Sequence, residues 1–208
     1  LPDNTFYTEV KPEDIREIVD EHLIKGRRVH RLLYLDPETE EHILDSKKMG
    51  FYKKQLRIAL RNCGIIDPEN IDEAIGRDAY QALGMVLTRH TPEETIEIIK
   101  RSGLRGRGGA GFPTGIKWEI ARRNSADQKY VVCNADEGDP GAFMDRSIIE
   151  TDPFAVIEGM TIGAFAVGAH EGYVYIRKEY PLAQVRLNKA LETARAAGLL
   201  GANILGSG

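Results

Sequence analysis

The sequence predicts an α/β fold: a mainly parallel sheet domain over residues 103–208, a helical lead-in over 49–102, and a short N-terminal α/β extension over 1–48. Three observations predict it. From residue 130 onward, short apolar runs alternate with helical patterns, the order that gives right-handed crossovers and a parallel sheet covered on both faces. Residues 49–102 carry helical spacing almost throughout. A glycine-rich connection and an acidic turn fall at element boundaries, where open α/β sheets take their ligands.

In chain order, residues 6–10 read as extended. Pro12 opens a helix whose Ile15, Ile18, Val19 and Leu23 share one face, and Gly26 closes it. Residues 28–34 form a second strand-like segment. Residues 49–62 read as a helix through Phe51, Tyr52, Leu56, Ile58, Ala59 and Leu60, Asp67-Pro68 restarts one, and Tyr80, Leu83 and Val86 continue the spacing. Thr91-Pro92-Glu93-Glu94 is a capping box with proline at the first helical position, and Gly103 is the stop. Residues 130–133 read as a buried strand, and Asp152-Pro153 caps a long helix of small residues. In that helix Gly159 and Gly163 permit close approach of a neighbour. Residues 172–176 are the next strand, 181–197 the next helix with Gly198 its stop, and 202–205 an incipient strand.

Residues 104–118, LRGRGGAGFPTGIKW, hold five glycines within ten positions. Such a cluster is expected where backbone turns through positive φ or lies against a ligand, so valine at Gly108 would both block a ligand and disfavour positive φ. The loop from Gly106 through Gly108 and Gly109 to Gly111 exposes successive N–H groups. Pro113 and Thr114 start a helix whose positive dipole end favours an anion. Arg105, Arg107 and Lys117 add charge of the matching sign, so the reading is a phosphate-bearing cofactor. The literal G-x-G-x-x-G at residues 106–111 follows a helix rather than a strand, which departs from the Rossmann fingerprint, and Trp118 after Lys117 departs from a Walker A loop. A long surface turn also accommodates these residues.

The second motif is KYVVCNADEGDPGAFMDR, residues 129–146, which gathers Asn134, Asp136, Glu137 and Asp139 at a strand's carboxyl end. Carboxylates repel phosphate but accept hydrogen bonds from sugar or ribityl hydroxyls. A solvated acidic turn fits the same residues.

Taken together, the two motifs closely resemble the flavin-binding subunit of complex I-type NADH dehydrogenases and its relatives in NAD-linked hydrogenases and formate dehydrogenases. The resemblance extends through FYKKQLRIALRNCGIIDPENIDEAI and EGYVYIRKEYP, roughly residues 50–208. It implies that residues 103–208 are an FMN- and NADH-binding α/β domain, incomplete at its C-terminus, in which no side chain need act as acid or base. Gly106, Arg107, Gly108, Gly109, Gly111 and Lys117 would line the FMN, with Asn134, Asp136 and Glu137 at its ribityl and ring edge. Phe112 would stack near the nicotinamide nucleotide, NAD(H) or NADP(H), and Asp139 would face its ribose. Respiratory members usually carry Glu at that position, so Asp139 leaves the nucleotide preference open and points toward the hydrogenase or formate dehydrogenase relatives. A Gly-Glu-Glu motif and a cysteine-rich 4Fe-4S domain are expected beyond residue 208, and the partners are iron–sulfur subunits of a multisubunit complex. Residues 1–48 resemble the end of the thioredoxin-like domain that precedes the flavin domain in hydrogenase-type relatives. Alternatives are a scaffold fragment, a nucleotide-binding regulatory module and a membrane electron-transport subunit with a related glycine loop.

Composition narrows the classes. A net charge of −4 offers no broad basic field for nucleic acid, and no run approaches the ~18 apolar residues that suggest a membrane span. Cys63 and Cys133, far apart and without a C-x-x-C, make a metal or cluster site built by this chain alone unexpected. Two free thiols and no signal peptide suggest a reducing cytoplasm, and the chain looks cut at both ends. The five histidines show no ligand spacing.

Overall fold

A computed structural model describes residues 3–139 and 141–207, and the chain divides into two compact units, Leu1–Ile58 and Ala59–Gly208. Pro140 of the acidic turn lies outside the described residues.

In the first unit the stretch expected as a strand at residues 6–10 pairs at a single antiparallel bridge, Tyr7 with Leu33, and is broken at Glu9, which takes φ +53°. The helix after Pro12 forms as a 3-10 turn, one α-turn α1 (Ile15–Glu17) and a π-turn (Ile18–Ile24). Its expected apolar face is not buried within this unit, since Ile15, Val19 and Leu23 are all exposed. Residues 28–34 are not a strand either, because His30–Leu32 winds into a 3-10 turn that buries Leu32. The only ladder in this unit among the described residues is the short antiparallel pair β1 (Tyr34–Leu35) and β2 (His42–Ile43). The helix expected over 49–62 shrinks to α2 (Gly50–Lys53). Phe51, Leu56 and Ile58 stay exposed there, and a short helix without a packed face is marginal in water.

The second unit is a helical layer on a parallel strand pair. It contains α3 (Ile71–Ile75), α4 (Gln81–Arg89), α5 (Pro92–Ser102), α6 (Thr114–Arg123), β3 (Tyr130–Ala135), α7 (Met144–Thr151), α8 (Pro153–Val167), β4 (Glu171–Ile176) and α9 (Pro181–Ala196). The helix expected at Asp67-Pro68 starts at Ile71, because the Asn70 side chain supplies the cap by accepting from the Asp72 N–H at 3.0 Å. α5 begins as its capping box predicts and ends at Gly103 with φ +68°. Residues 204–206 form a 3-10 turn rather than a strand, since Asn203, Leu205 and Gly206 all take positive φ.

α8 organises the core. Phe154 is fully buried in it, and Ile157 and Ala166 join Leu83 of α4, Ala135 of β3, Ile149 of α7 and the Ala183, Leu187, Ala190 and Ala194 stripe of α9 as buried residues. Asp152 caps α8 at the Ala155 N–H and in turn accepts from Asn62 Nδ2 at 2.7 Å. Glu158, buried in mid-helix, accepts from the Leu83 N–H at 3.0 Å and so caps α4 from another element. Of the predicted glycine pair only Gly163 makes a close approach; a Cβ there would lie 3.3 Å from the Trp118 ring, whereas Gly159 faces open space.

β3 and β4 pair in parallel from Tyr130↔Glu171 to Ala135↔Ile176. The expectation of a sheet covered on both faces is not met among the described residues. Cys133, Ala135, Val174 and Ile176 pack with the core, but Tyr130, Val132, Tyr173 and Tyr175 on the opposite face are each more than half exposed.

Candidate functional site

The glycine-rich segment is the connection of an antiparallel helical hairpin. Lys100 near the end of α5 bridges Glu119 of α6 at 2.7 Å, and Glu93 at the start of α5 bridges Arg122 at 3.0 Å. The two backbones approach closely at Gly115, where a Cβ would stand 2.6 Å from the Lys100 amide nitrogen. The loop between them is cinched at its neck. Arg105 and Pro113 form an antiparallel bridge, the Gly106 N–H donates to the Phe112 carbonyl at 2.9 Å, and Arg105 Nη1 donates to the Gly111 carbonyl at 3.0 Å.

Within the neck, Gly109 and Gly111 take φ +96° and +61°, a region that favours glycine. Gly108 does not, so the expectation of positive φ at that residue is corrected; what Gly108 provides is space, with nothing within 4 Å of a Cβ built there. α6 then starts with no side-chain cap and no acidic residue in its first turn. The Thr114 N–H is taken by the Leu104 carbonyl at 2.9 Å, which leaves the N–H groups of Gly115 and Ile116 as the ones this start can offer an anion. Arg107 and Lys117 are exposed, with no ion pair among the described residues, and Phe112 is half exposed.

The acidic turn leaves β3 at Ala135. Asn134 and Asp136 are exposed, and Asn134 Oδ1 accepts from the Asp136 N–H at 3.3 Å. Glu137 is buried, and its carboxylate accepts from the backbone N–H groups of Asp145 and Arg146 at 3.0 and 3.2 Å. It therefore caps α7, the helix that sequence reasoning missed. The carboxyl of Asp145 is held above the usual carboxylate range, first by burial and then by the neighbouring Glu137 charge. Asp139 is exposed on the loop between Glu137 and α7, and its carbonyl accepts from the Ala142 N–H at 3.1 Å.

Arg177, the first residue after β4, reaches across to this turn. Its Nη1 donates to the Glu137 carbonyl, and its Nε lies 4.0 Å from Asp136 and 3.6 Å from Glu179. Its guanidinium carbon sits 5.6 Å from the centre of the buried Tyr180 ring, which Arg146 approaches at the same distance. Burial, then the Glu137 charge, raises the Tyr180 pKa. Sequence reasoning missed Arg177 and Tyr180 as members of this cluster. The available signal was the rule already applied to β3, because Arg177 also stands at the carboxyl end of a parallel strand.

Helix directions relate the two motifs. Trp118 lies against Gly163, and Arg122, one turn further along α6, reaches Gly168 at the end of α8, so α6 and α8 run the same way. Lys129, just before β3, donates to the carbonyls of both Arg122 and Val167, at 2.9 and 3.1 Å. The ends of α6 and α8 therefore meet at the beginning of β3. At the opposite end lie the start of α6 with its glycine loop and the carboxyl ends of β3 and β4 with Asn134, Asp136, Glu137 and Arg177. No hydrogen bond or ion pair joins the loop to the acidic turn among the described residues. Those residues contain no cluster of three or more metal-binding side chains and no helix long and apolar enough to cross a membrane.

Residues 99–205, half of the chain, match the family model of the Nuo51 FMN-binding domain. The NADP-reducing hydrogenase subunit HndC of Solidesulfovibrio fructosivorans is 65% identical over 156 residues, which cover 75% of this chain and 31% of that protein. A polypeptide of the NADH-quinone oxidoreductase of Rhizobium meliloti (strain 1021) is 47% identical over 151 residues, covering 73% of this chain and 36% of that protein. This chain thus spans about a third of the length of these relatives. Among solved structures, a chain of an NAD+-reducing NiFe hydrogenase in the air-oxidized state aligns with a TM-score of 0.54 and 25% identity, covering 92% of this chain and 30% of that one. The cinched glycine loop, the uncapped start of α6 and the polar ends of the parallel strands therefore stand in a chain that belongs to the Nuo51 FMN-binding domain family.

Proposed function

We propose that this chain is the FMN-holding part of an oxidoreductase subunit that exchanges electrons between NAD(P)H and iron–sulfur partner subunits. The observation that carries the reading is the loop over residues 106–111, open at Gly108, Gly109 and Gly111 and followed by a helix start with no competing carboxylate.

The donor set suits FMN. Loop N–H groups and the start of α6, with Arg107 and Lys117, offer positive potential to the phosphate, and Gly106 and Gly108 keep the backbone bare enough for a flat ring to approach. Asn134 and Asp136 supply exposed acceptors for ribityl hydroxyls. Glu137 serves this site by shaping it, since its carboxylate is committed to α7 and its carbonyl to Arg177. Phe112 offers an exposed ring for the nucleotide to stack on, and Asp139 a carboxylate for its ribose. Bound FMN supplies the conversion of a two-electron hydride exchange with NAD(P)H into single-electron transfer to iron–sulfur clusters. The protein's share is binding, orientation and electrostatics, with no side chain as acid or base.

On this reading the segment β3-α7-α8-β4 is one crossover of a larger, mainly parallel flavin-binding sheet. Residues 49–102 lead into it and 1–48 belong to a preceding thioredoxin-like domain. The protein works in the cytoplasm without membrane insertion. The test is reconstitution of the full-length polypeptide with FMN, followed by reduction of an artificial acceptor with NADH and with NADPH. Stoichiometric FMN and turnover are expected; tight FAD, or no flavin at all, overturns the proposal.

A further inference from the structure

We infer that Arg177 is a positioning residue that ties the end of β4 to the acidic turn after β3 and so holds Asp136 in place for the flavin, next to Asn134, which the strand pairing itself fixes. The inference rests on the FMN reading above. The turn leaves the strand pair at Ala135, and two groups restrain it afterwards. One is the Glu137 carboxylate, which hangs on the first N–H groups of α7; the other is the Glu137 carbonyl, which takes Nη1 of Arg177. The Arg177 bond is the only one of these anchored in the neighbouring parallel strand. Without it the turn is held only where the Glu137 carboxylate caps α7, with no tie to β4.

The guanidinium is itself fixed. It lies against the buried Tyr180 ring, with Glu179 and Asp136 flanking Nε at 3.6 and 4.0 Å. A planar, multiply donating group can stack on a ring and bond a carbonyl at once, which an ammonium cannot. The Arg177 side chain is about 30% exposed, and methionine keeps an apolar stem of similar length, so Arg177→Met leaves the packing against Tyr180 largely filled. Flavin affinity and fold stability should therefore separate.

The experiment uses the full-length protein, titrated with FMN as wild type, Arg177→Met, Arg177→Lys, Asp136→Asn and Asn134→Ala, with Tm recorded for each. Arg177→Met is expected to raise the FMN Kd about tenfold while Tm moves by no more than about 4 °C, the shift of roughly 1 kcal/mol. Arg177→Lys should recover part of the loss, to within about threefold of wild type, because it restores one donor without the planar stack. Asp136→Asn or Asn134→Ala should weaken FMN in the wild-type background. If both Arg177 variants bind FMN as wild type does while an Asn134 or Asp136 variant binds weakly, the site stands and the role of Arg177 is overturned. If the Arg177 variants lose FMN and the Asn134 and Asp136 variants do not, Arg177 touches the cofactor itself and positioning is again wrong. Unchanged affinity in every variant, with Gly108→Val also normal, removes the FMN reading and this inference together. Should Arg177→Met fail to fold, the Lys variant decides by the same split between Kd and Tm.

Discussion

A side chain at Gly108 would project into open space, whereas one at Gly111 would also have to hold φ +61°. The two positions therefore separate the loop's jobs. Gly108→Val should abolish flavin retention with Tm nearly unchanged, while Gly111→Val should lose flavin and also about 1 kcal/mol or more of stability. Absorbance of the purified protein and a thermal melt check both, and normal flavin in the first variant would mean the loop is only a turn. Asp139 supports a different forecast. A carboxylate beside an adenosine ribose accepts from its hydroxyls and repels a 2′-phosphate, so Asp139→Asn should raise kcat/KM for NADPH relative to NADH about tenfold, roughly 1.4 kcal/mol. An equal fall for both nucleotides would place Asp139 in the loop's shape instead. The glycines were legible in the sequence because few environments tolerate five in ten residues. The capping role of Glu137 was not, because its partners lie eight and nine residues away across a turn of unknown path. Arg177 was invisible for a stronger reason, as only the strand pairing brings it to a carbonyl 40 residues earlier.

Helix ends decide how the elements hold their places. The Thr91–Glu94 box was readable because both reciprocal bonds are local, with Glu94 accepting from the Thr91 N–H at 2.8 Å. That bond is the main cause of the lowered Glu94 pKa. A carboxylate with a depressed folded-state pKa stabilises fully above its unfolded value, here 4.5, and loses that contribution as pH falls through the lower folded value. Protection factors of the amides in the first turn of α5 should therefore fall below pH 4.5 before those of the rest of α5, and a Glu94→Gln variant should lack this step. Gly115 carries the other element-scale prediction. A methyl group 2.6 Å from the Lys100 backbone must push α5 away from α6, so Gly115→Ala should cost about 1–3 kcal/mol despite alanine's better helix propensity. A gain in Tm would show that the hairpin relaxes freely. The failed expectation over residues 49–62 has the opposite cause: its apolar spacing is genuine, yet Phe51, Leu56 and Ile58 remain exposed, and periodicity alone does not supply a partner.

At the scale of the molecule, the alternation of strand and helix after residue 130 correctly announced a parallel pair bridged by helices. It did not reveal that, among the described residues, one sheet face stays uncovered, because alternating exposure in Tyr130, Val132, Tyr173 and Tyr175 reads from sequence as a buried apolar run. Exposed apolar strands invite association. Val132→Lys, in the middle of that face and 63% exposed, should leave Tm within about 2 °C and raise the monomer fraction seen by light scattering at high concentration. Unchanged self-association would mean that this face is not the sticky one.

The contact between Trp118 and Gly163 has an optical consequence. Trp118 is the chain's single tryptophan, and it sits one turn into α6, just beyond the glycine loop. Its emission therefore comes from one place, the seam where the hairpin meets the central helix. A yellow chromophore at the loop would quench that light by energy transfer, whereas parting of the seam would shift its colour toward the red. One unlabelled fluorescence spectrum can thus distinguish an emptied loop from a loosened scaffold.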